Sequence, residues 1–175
     1  MNVASDFAAF SDHVRNRAMQ EARVSFSIWR IASPTPNAAA VKGHAAPACV
    51  VAWLEVLSGV RSNGVIVLDD AMRILREYMA HLSLAGEPGA GDAFMKWVWS
   101  IQADENQCER VRFSPPYENG GDDFAEFPED PALAAFDRSD RKFVATALAS
   151  LKEPVILNAV DSDRAESYDA LVQMV

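Results

Sequence analysis

Two rhythms of apolar and polar positions alternate along this chain. Ser5 to Glu21 places Phe7, Phe10, Val14 and Ala18 at near-helical spacing, with Ser5 as N-cap, and predicts a first helix. VSFSIWRI, Val24 to Ile31, alternates in steps of two and is rich in β-formers, so it predicts a strand. A loop of small residues and prolines follows (SPTPNAAAVKGHAAP), long for a compact domain. Between Ala48 and Val60 the positions Val50, Val51, Leu54 and Leu57 repeat with a helical period, and Asn63-Gly64 reads as a turn. VIVL, Val65 to Leu68, has no polar alternation, as expected of a strand buried on both faces. Asp69 or Asp70 then caps a helix to about Leu84, with Ile74, Leu75, Tyr78, Met79 and Leu82 as its apolar stripe.

GEPGAG breaks the pattern, and Asp92 to Gln102 predicts a helix with Phe94, Trp97, Val98 and Ile101 inward. Arg110 to Phe113 predicts a short strand, and Pro115 to Pro131, acidic and rich in Gly and Pro, a loop. Ser139 to Leu151 predicts a helix with Phe143, Val144, Ala147, Leu148 and Leu151 on one face. Val155 to Val160 predicts a buried strand, and Asp163 to Met174 a last helix. Strands alternating with helices, the strands uniformly apolar, imply an α/β fold with a mainly parallel sheet covered on both faces.

Composition narrows the picture. The chain has 175 residues, half of them hydrophobic, enough for one domain with a real core. No apolar run approaches the roughly 18 residues that span a bilayer. The N-terminus lacks the apolar centre of a secretory signal, so no membrane partner and a cytoplasmic location are expected. Cys49 and Cys108 lack metal-type spacing and are expected to be reduced thiols. A net charge of −9 counts against tight, non-specific binding of polyanions, although Arg138, Arg141 and Lys142 cluster locally.

Phe136 to Asp163 carries the candidate chemistry. An acidic turn opens a helix, a strand follows, and the strand empties into a second acidic cluster. In an open α/β sheet such strand ends and helix starts converge on one edge, so Asp137, Asp140, Asp161 and Asp163 can gather there. Carboxylates without Cys or His partners suit Mg2+ or Mn2+, hard ions that prefer oxygen ligands.

Four stretches resemble the PIN-domain family of metal-dependent nucleases. VIVLDDAMRILREYMAHL is similar to a strand and helix of that family whose "EY" glutamate is Glu77 here. GDAFMKWVWSIQ resembles the next helix of a bacterial PIN-like subgroup. DPALAAFDRSDRKFVATALA fits the D-x-x-hydrophobic-x-A-x-A helix, with its aspartate at Asp140, and PVILNAVDSD fits the T-x-D-x-D strand exit, with Asp161 and Asp163. The similarity spans residues 22 to 170. It implies a three-layer α/β/α sandwich over residues 22–175, with 1–21 as a helical extension. It also implies a Mg2+- or Mn2+-dependent ribonuclease. In that enzyme Glu77, Asp140 and Asp161 bind the ion, Asp163 supports them, and Arg141 or Lys142 meets the phosphate.

One departure bears on activity. The family's first strand ends in an Asp-Thr-Asn-like triplet with a metal-ligating aspartate, and here Ser25-Phe26-Ser27 aligns with it. No carboxylate lies between Arg23 and Lys42 to replace it. The resemblance therefore implies one of two outcomes: a weakened nuclease, or a PIN fold kept without catalysis that binds RNA or a protein. By family habit the partners in view are RNA, an antitoxin-like protein and a second copy of the chain. The chain stops soon after the last expected helix, so the family's final edge strand is expected to be missing.

Each residue also has a plainer role. Most acidic side chains are solvated surface. Asp140 stands in a helix's first turn, where an aspartate answers the helix dipole, and Asp161 and Asp163 are natural turn formers. Glu77 is mid-helix, where capping is not open to it. His13, His44 and His81 show no ligand spacing. Gly86, Gly89 and Gly91 lack the Lys-Ser/Thr of a phosphate-binding loop. Trp53 and Trp97 are expected in the core. Trp99 cannot share one inward face with Trp97, so one of the two is expected to be partly exposed.

Overall fold

A computed structural model describes residues 24–29, 47–84, 89–114, 123–152 and 154–158. The expected first and last helices, the loop after β1 apart from Pro47, and both Asp161 and Asp163 lie outside them.

The described chain is mixed α/β. Strand β1 (Val24–Trp29) leads to helix α1 (Pro47–Asn63), β2 (Gly64–Asp69), α2 (Arg73–His81), α3 (Ala90–Ile101) and β3 (Cys108–Val111). Two short 3-10 turns (Pro131–Leu133 and Arg138–Asp140) precede α4 (Arg141–Ala149) and β4 (Val155–Asn158). The four strands form one sheet in the order β3-β2-β1-β4, and every pairing is parallel. Ser25 pairs with Val65, and Ser27 with Ile156. Because β4 joins on the far side of β1, the sheet changes direction between β1 and β4. Such a switch point opens a crevice at the carboxyl ends of the strands.

All six residues of β2 are buried, which the unbroken VIVL run anticipates. Helix α1 packs on β2 and on α3, while α4 packs across β1, β2 and β4 and against α2. The core gathers Trp53, Leu57, Ile66, Leu68, Ile74, Leu75, Tyr78, Met95, Val98 and Phe143.

Several sequence expectations are corrected. On α1 the inward residues are Trp53, Val56, Leu57 and Val60, whereas Val51 and Leu54 are exposed. Apolar side chains surround much of this helix, so its period does not single out one face. Met79 is exposed, because α2 turns it away from Ile74, Leu75 and Tyr78. Asn63 is still helical and Gly64 already β, so the expected turn there is a direct junction. Strand β3 starts at Cys108 rather than Arg110. Helix α4 ends at Ala149, and Leu151 is 96% exposed beyond it. Residues Lys142 to Ala147 are all buried, so α4 is enclosed on every side.

The acidic stretch read as a plain loop also contributes core. Phe124 and Phe127 within it are buried, as are Leu133 and Phe136 just after it. Phe124 stacks on Phe113 with ring centres 4.7 Å apart, and Phe127 meets Phe136 at 5.5 Å. This aromatic pad fixes the turn that opens α4. Trp53 is buried, and Trp97 is half-buried beside an exposed Trp99, as expected. No helix among the described residues is long and apolar enough to cross a membrane.

Candidate functional site

The edge at the carboxyl ends of the strands is built first by Asp69, the last residue of β2. Its side chain is fully buried and accepts from the backbone N–H of Arg73 at 2.8 Å and of Ile74 at 2.9 Å. These are orphan donors of the first turn of α2, so Asp69 is the cap and Asp70 is not. Asp70 instead binds Arg112 Nε at 2.9 Å, while its carbonyl accepts from Arg110 at 3.0 Å. Met72 closes the turn in the left-handed region, φ 61°. Helix α2 therefore starts at this edge in a fixed direction, and Glu77 follows on its second turn.

Helix α4 also starts at this edge. A short turn carries it into the start of β4, so its N-terminus stands at the carboxyl ends of the strands. Asp137 caps the opening 3-10 turn by accepting from Ser139 N–H at 2.8 Å. Asp140 is only 4% exposed, and its carboxylate does not cap α4. Asp137 thus supplies the side-chain cap, while Asp140 stands at the start of α4, where a carboxylate answers the helix dipole.

Lys142 joins the two helices. Its side chain is almost fully buried, its ammonium lies 3.6 Å from Glu77 Oε2, and it donates to the carbonyl of Ser139. The Phe143 ring centre is 5.0 Å away. Glu77 Oε1 is 3.6 Å from His81 Nε2, one turn along α2. Both oxygens of Glu77 thus face a basic group. Sequence reasoning placed Lys142 toward a phosphate and did not foresee its burial against Glu77. The available signal was its position within a helix otherwise composed of core residues.

Tyr78 stands next to Glu77 and points into the core. Burial first, then the charges of Asp69 and Glu77, hold its phenol far above the usual range, so it stays neutral. Arg141 binds Asp123 at 2.8 Å and lies over the Phe127 ring, 4.7 Å from its centre. Arg138 pairs with the other oxygen of Asp123. Arg73 covers Phe124 at 5.3 Å. These arginines line a rim beside the turn, with a cavity of about 300 Å³ next to Asp123, Phe127 and Arg141.

The structure thus brings Glu77 and Lys142 into contact and sets Asp140 at the start of the same helix as Lys142. Arg141 is engaged with Asp123. Ser25 lies in β1, bonded in register to Val65. Asp161 and Asp163 follow β4 in sequence but fall outside the described residues. Among the described residues, no three His, Cys, Asp or Glu side chains form a group able to hold a metal ion. The donors present are carboxylate oxygens, the chemistry Mg2+ accepts, and one or two protein carboxylates suffice for that ion. Beside Glu77 the neighbours are the Lys142 ammonium and the His81 imidazole, each at 3.6 Å. Comparisons with known protein families, with curated proteins and with solved structures found no match to this chain.

Proposed function

We propose that this chain is a PIN-like ribonuclease that hydrolyses phosphodiester bonds with Mg2+ or Mn2+ and works below full capacity. Two helix pairs, α1 with α3 and α2 with α4, around a parallel sheet support a three-layer sandwich. The observation that carries the functional reading is the meeting of α2 and α4 at the switch-point edge, with Glu77 on one and a buried, non-capping Asp140 opening the other. Glu77, Asp140 and Asp161 would hold the ion, with Asp163 beside them. A bound ion lowers the pKa of its water and neutralises charge on the phosphate. The protein's own part is to aim the carboxylates. Asp69 fixes where α2 begins, and the aromatic pad fixes the turn before α4. Lys142 keeps Glu77 in place, and Arg141 reaches a phosphate only by leaving Asp123. Ser25 at the first-strand ligand position supplies no negative charge, which is why the activity is weak.

The other reading keeps the PIN-like fold without catalysis, as a module that binds RNA or a protein. The ammonium of Lys142 on Glu77 favours it, since that carboxylate is neutralised without any metal.

Isothermal titration with Mn2+ and cleavage of a mixed RNA pool separate the two. The enzyme reading expects weak Mn2+ binding and slow cleavage, both reduced in Asp140→Asn and both raised in Ser25→Asp. A folded protein that gives no binding heat at millimolar Mn2+ and leaves the RNA intact, with Ser25→Asp equally silent, sinks it.

A further inference from the structure

Where α2 meets α4, three ionisable side chains form a series of contacts that runs from the interior to solvent. Lys142 holds Glu77 Oε2 at 3.6 Å and donates to the carbonyl of Ser139. Glu77 Oε1 in turn lies 3.6 Å from His81 Nε2. Side-chain exposure rises along the series, from 8% for Lys142 through 34% for Glu77 to 53% for His81, so the imidazole is the member that a ligand can reach. A Glu and a His four apart on a helix are ordinary surface neighbours. Such a pair needs no ammonium enclosed behind it, and enclosing one is costly unless a charge and acceptors replace its water. Lys142 thus fixes Glu77 from the inside, and Glu77 faces one nitrogen of an open imidazole. The remaining ring nitrogen, Nδ1, is not engaged by Glu77. A carboxylate on one imidazole nitrogen orients the ring and stabilises the cation formed when the other nitrogen takes a proton.

We propose that His81 is the general base of a metal-independent cleavage of RNA, with Glu77 and Lys142 as its positioning residues. This role rests on the RNA substrate of the reading above and needs no ion. RNA suits a single oriented base because it carries its own nucleophile, a 2′-hydroxyl held beside the phosphodiester. In the step, His81 Nδ1 takes the proton of the 2′-hydroxyl, the 2′-oxygen bonds to phosphorus, and the bond from phosphorus to the 5′-oxygen breaks. The imidazolium returns its proton to that 5′-oxygen. The products are a 2′,3′-cyclic phosphate and a 5′-hydroxyl, with no water consumed.

The test uses the full chain, incubated with a mixed RNA pool in excess EDTA, and the new ends are read by mass spectrometry. The expected result is cleavage that leaves 2′,3′-cyclic phosphates, none in 2′-O-methyl RNA, and a rate lowered roughly 100-fold or more in His81→Ala. His81→Ala prepared in the same way also separates the activity of this chain from a contaminating ribonuclease. Glu77→Gln and Lys142→Met are expected to lower kcat more than they change KM, and Lys142→Arg to recover part of the loss. Lys96→Gln, which removes an exposed charge on α3, keeps the wild-type rate. Circular dichroism checks folding, and His81→Asn is read instead if His81→Ala does not fold. An RNA pool left intact in EDTA, 5′-phosphate ends, or an unchanged rate in the folded His81 variant overturns the proposal. Cleavage that appears only with Mn2+ overturns it too, while upholding the ion-dependent reading. Cleavage in EDTA that Mn2+ does not raise upholds the role of His81 and removes the ion from that reading.

Discussion

Asp69→Ala tests how the edge is held. The substitution deletes a fully buried carboxylate that receives two backbone N–H groups, at 2.8 and 2.9 Å. Hydrogen bonds to charged groups contribute about 1.5–3 kcal/mol each, and losing a helix cap costs about 0.5–2 kcal/mol. These figures overlap, because the bonds are the cap. The enclosed Ile74 N–H loses its partner altogether, whereas the Arg73 N–H is partly accessible to water. Removing the carboxylate also relieves its own desolvation, which holds the net loss near the lower end of the two-bond sum, about 3 kcal/mol. For a chain of this size that corresponds to a fall in Tm of roughly 6–12 °C. Asp69→Asn keeps one acceptor oxygen and is expected to lose about half as much. Urea unfolding followed by circular dichroism reads both variants, with an unchanged m-value as the sign that stability alone has moved. A loss below about 1 kcal/mol for Asp69→Ala would show that α2 is positioned by core packing and that the cap is incidental.

Two further outcomes follow from burial. Cys108 is enclosed in β3, and burial pushes its thiol up from the ordinary 9.0 to about 11. The folded thiol keeps a proton that the unfolded chain releases. Its contribution is therefore complete below pH 9 and is lost as pH rises toward 11, so the alkaline fall in stability should be shallower in Cys108→Ala by urea titration across that window. Phe143→Ala, at a fully buried position, should cost about 3–5 kcal/mol, whereas Leu151→Ser, at a site 96% exposed, should stay within about 0.5 kcal/mol in the same assay.

The strands were the most legible part of the chain. Unbroken apolar runs such as VIVL have few alternatives to a buried parallel strand, and the structure places β2 and β4 on such runs and β1 on the alternating VSFSIW. Helix faces were less legible. On α1, Val51 and Leu54 fit the helical period as well as Trp53 and Val56 do, and only the neighbouring sheet and α3 decide which pair faces inward. Leu151 looked like a continuation of α4, yet the chain had already turned toward β4. At the candidate site, Glu77 stood out because no capping role was open to it. Asp140 does stand at the helix start, as its place in the sequence suggested, but the side-chain cap of the opening turn comes from Asp137. Lys142 was legible as a charge but not as a buried one, because its pairing depends on α2 meeting α4, a contact between distant parts of the chain. The aromatic pad was hidden by the acidic residues around Phe124 and Phe127.

The place of β1 inside the sheet has a consequence for biosynthesis. One side of β1 is bonded to β2, which follows soon after it, but the other side waits for β4, the last described strand. Phe26 cannot meet Val155 until most of the chain has left the ribosome. Until then β1 shows an open edge, the kind of surface on which nascent chains pair with one another. A polypeptide cut short before Val155 would keep that edge permanently and should be found in aggregates.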